Sequence, residues 1–187
     1  PEIYTLSLHD ALPIFQFMGQ ILGADQETPL RIIMYNNVGE MLGALAPRST
    51  TISRELITEG QAFAEQNVVL LLGSGRRAKG TVSHELTHVL VHRAASGSVL
   101  AIPLWLNEGL AEYGNVDQSL SYERFLEWAV DTKRITPFES LVVFPGDPNL
   151  SIVAYGQSRS VVEYMIARWG PDKMAELMAT YGASGSF

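Results

Sequence analysis

The chain contains no cysteine. That excludes disulfide bonds and any metal site built on thiolates. Positive charge is not in excess: 13 Lys and Arg stand against 20 Asp and Glu, for a formal net charge of −7. A mildly acidic domain offers no electrostatic case for binding nucleic acid or an anionic membrane. There is no run of 18 apolar residues, so no membrane-spanning helix is expected and no membrane contact is evident. Internal repeats are absent, and so is low complexity apart from a Gly/Ser tail at 182–186. Histidine is scarce as well. Only four occur in 187 residues, and three of them fall between positions 84 and 92.

Two of those histidines carry the strongest signal in the chain. His84-Glu85-Leu86-Thr87-His88 reads H-E-x-x-H. On an α-helix, residues four apart project from the same face, one turn above the other. Two imidazole nitrogens can then reach one tetrahedral Zn²⁺. Glu85 falls on the flank of that face, placed to take a proton from water activated by the metal. Val82, Val89, Leu90 and Val91 surround the motif with apolar residues, as expected of a helix buried beneath a site. His92 continues the four-residue spacing. Each such step drifts about 40° around the helix, so a third histidine on the same ion is not expected. The longer motif H-E-x-x-H-x-x-G-x-x-H is also not met. His92 reads instead as a helix-end residue near the negative end of the dipole.

A second segment, Pro103-Leu104-Trp105-Leu106-Asn107-Glu108-Gly109-Leu110-Ala111-Glu112-Tyr113-Gly114, reads as a helix. Pro103 suits its first turn and Gly114 a left-handed stop. Glu108 and Glu112 share one face. A catalytic zinc site wants three protein ligands and one open position, and two histidines with a glutamate form an established set. Glu108 is the expected third ligand. Glu112 is placed to accept the free ring N–H of a zinc-binding histidine and fix its orientation.

H-E-L-T-H followed by W-L-N-E-G-L-A-E-Y resembles the gluzincin metallopeptidases, whose aminopeptidase N-type members carry H-E-x-x-H and then N-E-G-[FL]-A. It resembles more closely the bacterial peptidase-MA-like domains, over about Leu30 to Gly182. The resemblance implies an α+β, zincin-like (thermolysin-like) catalytic domain: a small N-terminal sheet followed by a mostly helical part. It also implies one Zn²⁺ held by His84, His88 and Glu108, Glu85 as catalytic acid/base, and a peptide or protein substrate. A location outside the cytoplasm or anchored to a membrane in a bacterium is suggested by it alone. Ala154 to Val162 is similar to the Y-x-x-G-x-x-V region of the aminopeptidases, which implies that Tyr155 stabilises the oxyanion. Ser158 and Arg159 stand where the glycine of that pattern is expected, and Tyr155 also reads as an ordinary half-buried helix-start tyrosine. The G-A-M-E-N strand of the aminopeptidases has its nearest counterpart in Gly60 to Asn67, with no glutamate at the equivalent place. Exopeptidase activity is therefore not implied.

Residues 2–14 read EIYTLSLHDALPI, the translation of a common sequencing-adapter oligonucleotide. Residues 1–14 are expected to be a non-native scar, with the native frame resuming near Phe15 and the native N-terminus missing. On this reading His9 and Asp10 are not site candidates. Without Glu2 and Asp10 the formal charge of −7 becomes −5. The remainder, 15–187, is one domain's worth of chain with a single sizeable core.

The coarse layout agrees with an α+β domain. Leu30 to Tyr35 reads as a strand, followed by a short helix through Met41 to Leu45. Ala46 to Ser53 reads as loop. Val68 to Leu72 is a continuous apolar run ended by Gly73-Ser74-Gly75, as in a buried strand. Helices are expected over about Arg77 to Arg93, over Tyr122 to Asp131 with Ser121 as cap, and over Ile152 to Arg168 and Asp172 to Tyr181. Pro145 to Pro148 reads as a turn. A strand beside the motif helix could dock an extended peptide by main-chain pairing.

The expected function is zinc-dependent hydrolysis of peptide bonds. Two other readings stay open: a non-catalytic zincin fold serving as a binding module, and a zinc hydrolase acting on a non-peptide amide or ester. Against the first stands Glu85, since a purely structural zinc site needs no base.

Overall fold

The computed structural model describes residues 8–44, 59–72, 78–96, 102–117 and 120–184. Its elements are α1 (Leu8–Leu22), β1 (Arg31–Tyr35), α2 (Val38–Ala44), β2 (Gly60–Phe63), β3 (Val68–Leu72), α3 (Ala78–Ala94), α4 (Leu104–Gly114), α5 (Leu120–Asp131), α6 (Pro148–Trp169) and α7 (Pro171–Ser184). The architecture is mixed α/β, mostly helical, with one small three-stranded sheet.

The apolar run Val68 to Leu72 forms the central strand, because it alone can be buried along most of its length. β1 pairs with it in parallel, from Arg31 opposite Val68 to Tyr35 opposite Leu72. β2 pairs on the other side, antiparallel, with Gly60 opposite Leu71 and Phe63 opposite Val68. A single 3₁₀ turn over Ala64–Gln66 links β2 to β3, and Asn67 closes it in the left-handed conformation at φ 52°.

α3 lies between two packed layers, which is why it carries no single apolar stripe. Val82, Leu86 and Val89 pack on Val69 and Leu71 of the sheet. Leu90 and Val91 belong to a second core with Met18 and Leu22 of α1, Leu106 and Leu110 of α4, Val162 of α6 and Met178 of α7. Each of these fully buried aliphatic side chains contributes about 1.5–3 kcal/mol. The polar residues of α3 are satisfied locally. Thr87 Oγ1 donates to Ser83 O at 2.8 Å, and Ser83 Oγ accepts from Val116 N at 3.0 Å, tying α3 to the end of α4. Arg93, in the last turn of α3, reaches the other way. Its guanidinium donates to Asn67 Oδ1 and to the carbonyls of Asp25 and Thr28, clamping the sheet's connections to the helix.

Several expectations need correction. The short helix expected after the first strand is α2, but α1 also precedes the sheet, so the order is not simply strands and then helices. β2 falls on Gly60–Phe63, a segment set beside the G-A-M-E-N strand by resemblance but given no strand in the layout read from the residues. Gly114 is not a left-handed stop: it is the last residue of α4, and Asn115 follows at an ordinary φ of −72°. Glycine is needed there because a Cβ would collide with Thr87. Pro103 sits one residue ahead of α4, as its N-cap. Ser121 lies inside α5 rather than capping it. α6 begins four residues earlier than Ile152, at Pro148, because Asp147 Oδ1 accepts from Asn149 N and Leu150 N at 2.9 and 3.0 Å. α1 runs through Pro13 and across position 14, which does not bear on whether residues 1–14 are native. The loop expected at Ala46 to Ser53 and the glycines at 73 and 75 lie outside the described residues.

Candidate metal centre

α3 and α4 cross so that H-E-x-x-H faces N-E-G-L-A-E. His84 Nε2 and His88 Nε2 lie 3.1 Å apart, and each lies 3.6 Å from Glu108 Oε2. The two rings meet edge to face, with centroids 4.8 Å apart. Each histidine is anchored at its other nitrogen. His84 Nδ1 meets Glu112 Oε1 at 3.0 Å, and His88 Nδ1 meets Asn107 Oδ1 at 3.0 Å. A carboxylate oxygen and an amide oxygen are acceptors only, so both Nδ1 atoms are assigned the proton. Both Nε2 lone pairs therefore point inward, at each other and at Glu108.

Three acceptors facing one another across so small a gap repel unless a cation sits among them. Among the described residues His84, His88 and Glu108 form a group able to hold a metal ion. Around an ion with bonds of about 2.0–2.2 Å the edges of a tetrahedron are roughly 3.3–3.6 Å long; the two separations of 3.6 Å match them and the third, 3.1 Å, is slightly shorter. The donor set thus fits a metal such as zinc. A proton is the competitor. Burial alone would lower the His84 pKa, but the neighbouring carboxylates of Glu108 and Glu112 outweigh that and raise it to about 10. Burial likewise pushes the Glu108 carboxyl up, and the neighbouring His88 and His84 hold it below its ordinary value.

The carboxylate of Glu112 is 3 % exposed and richly held. Besides His84 it accepts from Asn115 Nδ2 at 3.3 Å and from the Tyr122 hydroxyl. Glu85, on α3, is also buried and lies against the edge strand. A Cβ on Gly60 of β2 would stand 2.7 Å from Glu85 Cγ and 3.0 Å from Oε1, so only glycine lets the two approach. The second edge of β2 has no strand partner among the described residues.

Tyr155 reaches the site from α6. Its ring stacks on Tyr122 at 6.0 Å and takes the edge of Phe144 at 4.8 Å. Burial, and then the charge of Glu108, push its phenol well above its ordinary range, so it stays protonated. The hydroxyl makes no hydrogen bond among the described residues and is left as a free donor. Phe144 belongs to the connection between α5 and α6. Phe138 on Trp105 at 4.6 Å, and Thr136 O accepting from Gln157 Nε2 at 2.8 Å, hold that connection over the start of α4.

Of the six residues singled out from the sequence, His84, His88, Glu108 and Glu112 meet directly, Glu85 follows His84 on α3 and faces β2, and Tyr155 on α6 lies within reach of the charges of Glu108 and Glu85. Asn107 and Tyr122 had been missed. Asn107 lies within the N-E-G segment, one residue from Glu108, and its position was the available signal. Tyr122 carries no local signal, since only the packing of α5 brings it to Glu112.

The fold and this two-helix cluster of two histidines and a glutamate fit a gluzincin-like site. The family model of the Peptidase MA superfamily matches residues 14–186, and the chain belongs to that family. No curated protein and no solved structure shows significant similarity to it. Membership supports a peptidase-like, metal-binding enzyme in general terms.

Proposed function

We propose that the chain is a zinc-dependent metallopeptidase of the gluzincin type, with a thermolysin-like arrangement of its catalytic elements. The observation that carries this reading is the inward convergence of His84 Nε2, His88 Nε2 and Glu108 Oε2, with both Nδ1 atoms anchored from behind. Those three residues would hold one Zn²⁺, which when bound polarises a carbonyl and makes water acidic near neutral pH.

The chain's own groups divide the remaining work. Glu112 and Asn107 hold the imidazoles in one tautomer and orientation. Glu85, as carboxylate, takes a proton from the attacking water as the oxygen–carbon bond forms. It then delivers that proton to the amide nitrogen as the carbon–nitrogen bond breaks. Tyr155 donates its hydrogen bond to the carbonyl oxygen as negative charge gathers there. β2, whose Gly60 lies against Glu85, can pair with an extended substrate main chain. The substrate is thus a peptide or protein segment held in extended form.

Digestion of a broad peptide library, with zinc and with chelator, tests this reading. Zinc-dependent cleavage that the chelator abolishes is expected, with cuts away from the peptide ends marking an endopeptidase. Zinc-loaded protein that cleaves nothing would contradict it.

A further inference from the structure

Tyr122, in the first turn of α5, touches both halves of the proposed hydrolytic site without facing the substrate side of either. Its hydroxyl meets the Glu112 carboxylate. A carboxylate only accepts, so the phenol is the donor. Glu112 in turn accepts the Nδ1–H of His84 at 3.0 Å, behind the ring whose Nε2 points at Glu108 and His88. The ring of Tyr122 has a different neighbour. It lies nearly parallel to that of Tyr155, with centroids 6.0 Å apart and planes 18° apart, an offset stack. One side chain thus braces a metal-facing histidine from behind and the proposed oxyanion donor from the side.

The packing around Tyr122 is close at both ends. Gly156 follows Tyr155 on α6, and a Cβ there would stand 2.8 Å from the Tyr122 carbonyl oxygen. Only glycine lets α6 approach the first turn of α5 so nearly. Phe144 meets the Tyr155 ring edge-on at 4.8 Å, so two aromatic neighbours limit how that ring can turn. At the other end the Glu112 carboxylate is buried. A donor lost from it leaves an acceptor out of reach of bulk water, which is costly.

We infer that Tyr122 is a positioning residue with two separable tasks. Its hydroxyl holds Glu112, and through it the His84 imidazole, in the zinc-binding orientation, while its ring holds Tyr155 towards the substrate carbonyl. The second task rests on the peptidase reading. The first needs only that His84, His88 and Glu108 bind the metal.

Two variants separate the tasks. Tyr122→Phe removes the hydroxyl and keeps the ring, and Tyr122→Leu removes both; Tyr122→Met replaces the second if the leucine variant does not hold zinc. Zinc affinity, read by chelator competition with no substrate present, should fall about three- to tenfold in Tyr122→Phe. In a Glu112→Ala background the same exchange should change it by less than about twofold, because the hydroxyl then has nothing to hold. No loss in the unaltered background, or an undiminished loss beside Glu112→Ala, overturns the first task. Hydrolysis at saturating zinc reads the second. Tyr122→Leu should lower kcat about two- to tenfold below Tyr122→Phe with KM unchanged, the range of one aromatic pair. That further loss should disappear beside Tyr155→Phe, which has no hydroxyl to aim. Equal kcat in the two Tyr122 variants, or a further loss that persists beside Tyr155→Phe, overturns the second task. Zinc-loaded, unaltered protein that cleaves nothing would overturn the peptidase reading and the second task with it, and the zinc measurements would still decide the first.

Discussion

The α3–α4 crossing and the outer face of α5 both gather carboxylates, and they treat them in opposite ways. At the crossing, Glu108 and Glu112 are largely buried, the first facing His84 and His88 and the second held by His84 and Asn115. Along the outer face of α5, Glu123, Glu127 and Asp131 are exposed, with no ion-pair partner among the described residues. A buried carboxylate survives only when its partners fix its position, which suits a site whose donors must meet within tenths of an ångström. An exposed carboxylate keeps its water and its freedom, and needs no fixed partner. The first arrangement is geometry and the second is field.

The largest expected effect breaks the geometric half. Glu108→Ala removes one of three donors and should take zinc from one ion per chain towards none, read by elemental analysis after dialysis. Unchanged stoichiometry would place the third ligand elsewhere. Next come the residues behind the histidines. Asn107→Ala and Glu112→Ala should each weaken zinc binding by about 10–100-fold, measured by competition with a chromophoric chelator. Losses below twofold would mean that the imidazoles hold their orientation unaided.

Protonation gives a third, graded effect. The His84 pKa is raised to about 10 in the metal-free protein by its contacts with Glu108 and Glu112, which outweigh burial. A raised value means that its proton stabilises the metal-free fold fully below the ordinary histidine pKa of about 6.5, and that this contribution is lost as pH climbs towards 10. Zinc must displace that proton, so zinc affinity should rise about tenfold per pH unit across the neutral range. A pH-independent affinity between pH 6 and 8 would contradict this.

The same contrast explains what could be read from the sequence. His84, Glu85, His88 and Glu108 were legible because their chemistry dictates spacing within single helices, and a helix converts spacing into direction. β3 was legible because five apolar residues in a row have few other uses. β2, Gly-Gln-Ala-Phe, was not, because four residues at a sheet edge carry no periodicity and are fixed by pairing with β3. Gly114 was assigned to glycine's left-handed freedom when the reason was the closeness of Thr87 on another helix. Tyr122 and the carboxylate row of α5 belong to the same class. Their meaning depends on where α5 packs, and no local pattern of residues encodes that.

The central claim is that one cluster both holds zinc and hydrolyses peptides through Glu85. Parallel measurement of zinc content and peptide hydrolysis in Glu85→Gln tests it most directly. One zinc per chain with hydrolysis reduced by about 10²–10⁴-fold is the predicted result. Full hydrolysis in that variant, at unchanged zinc content, would contradict it.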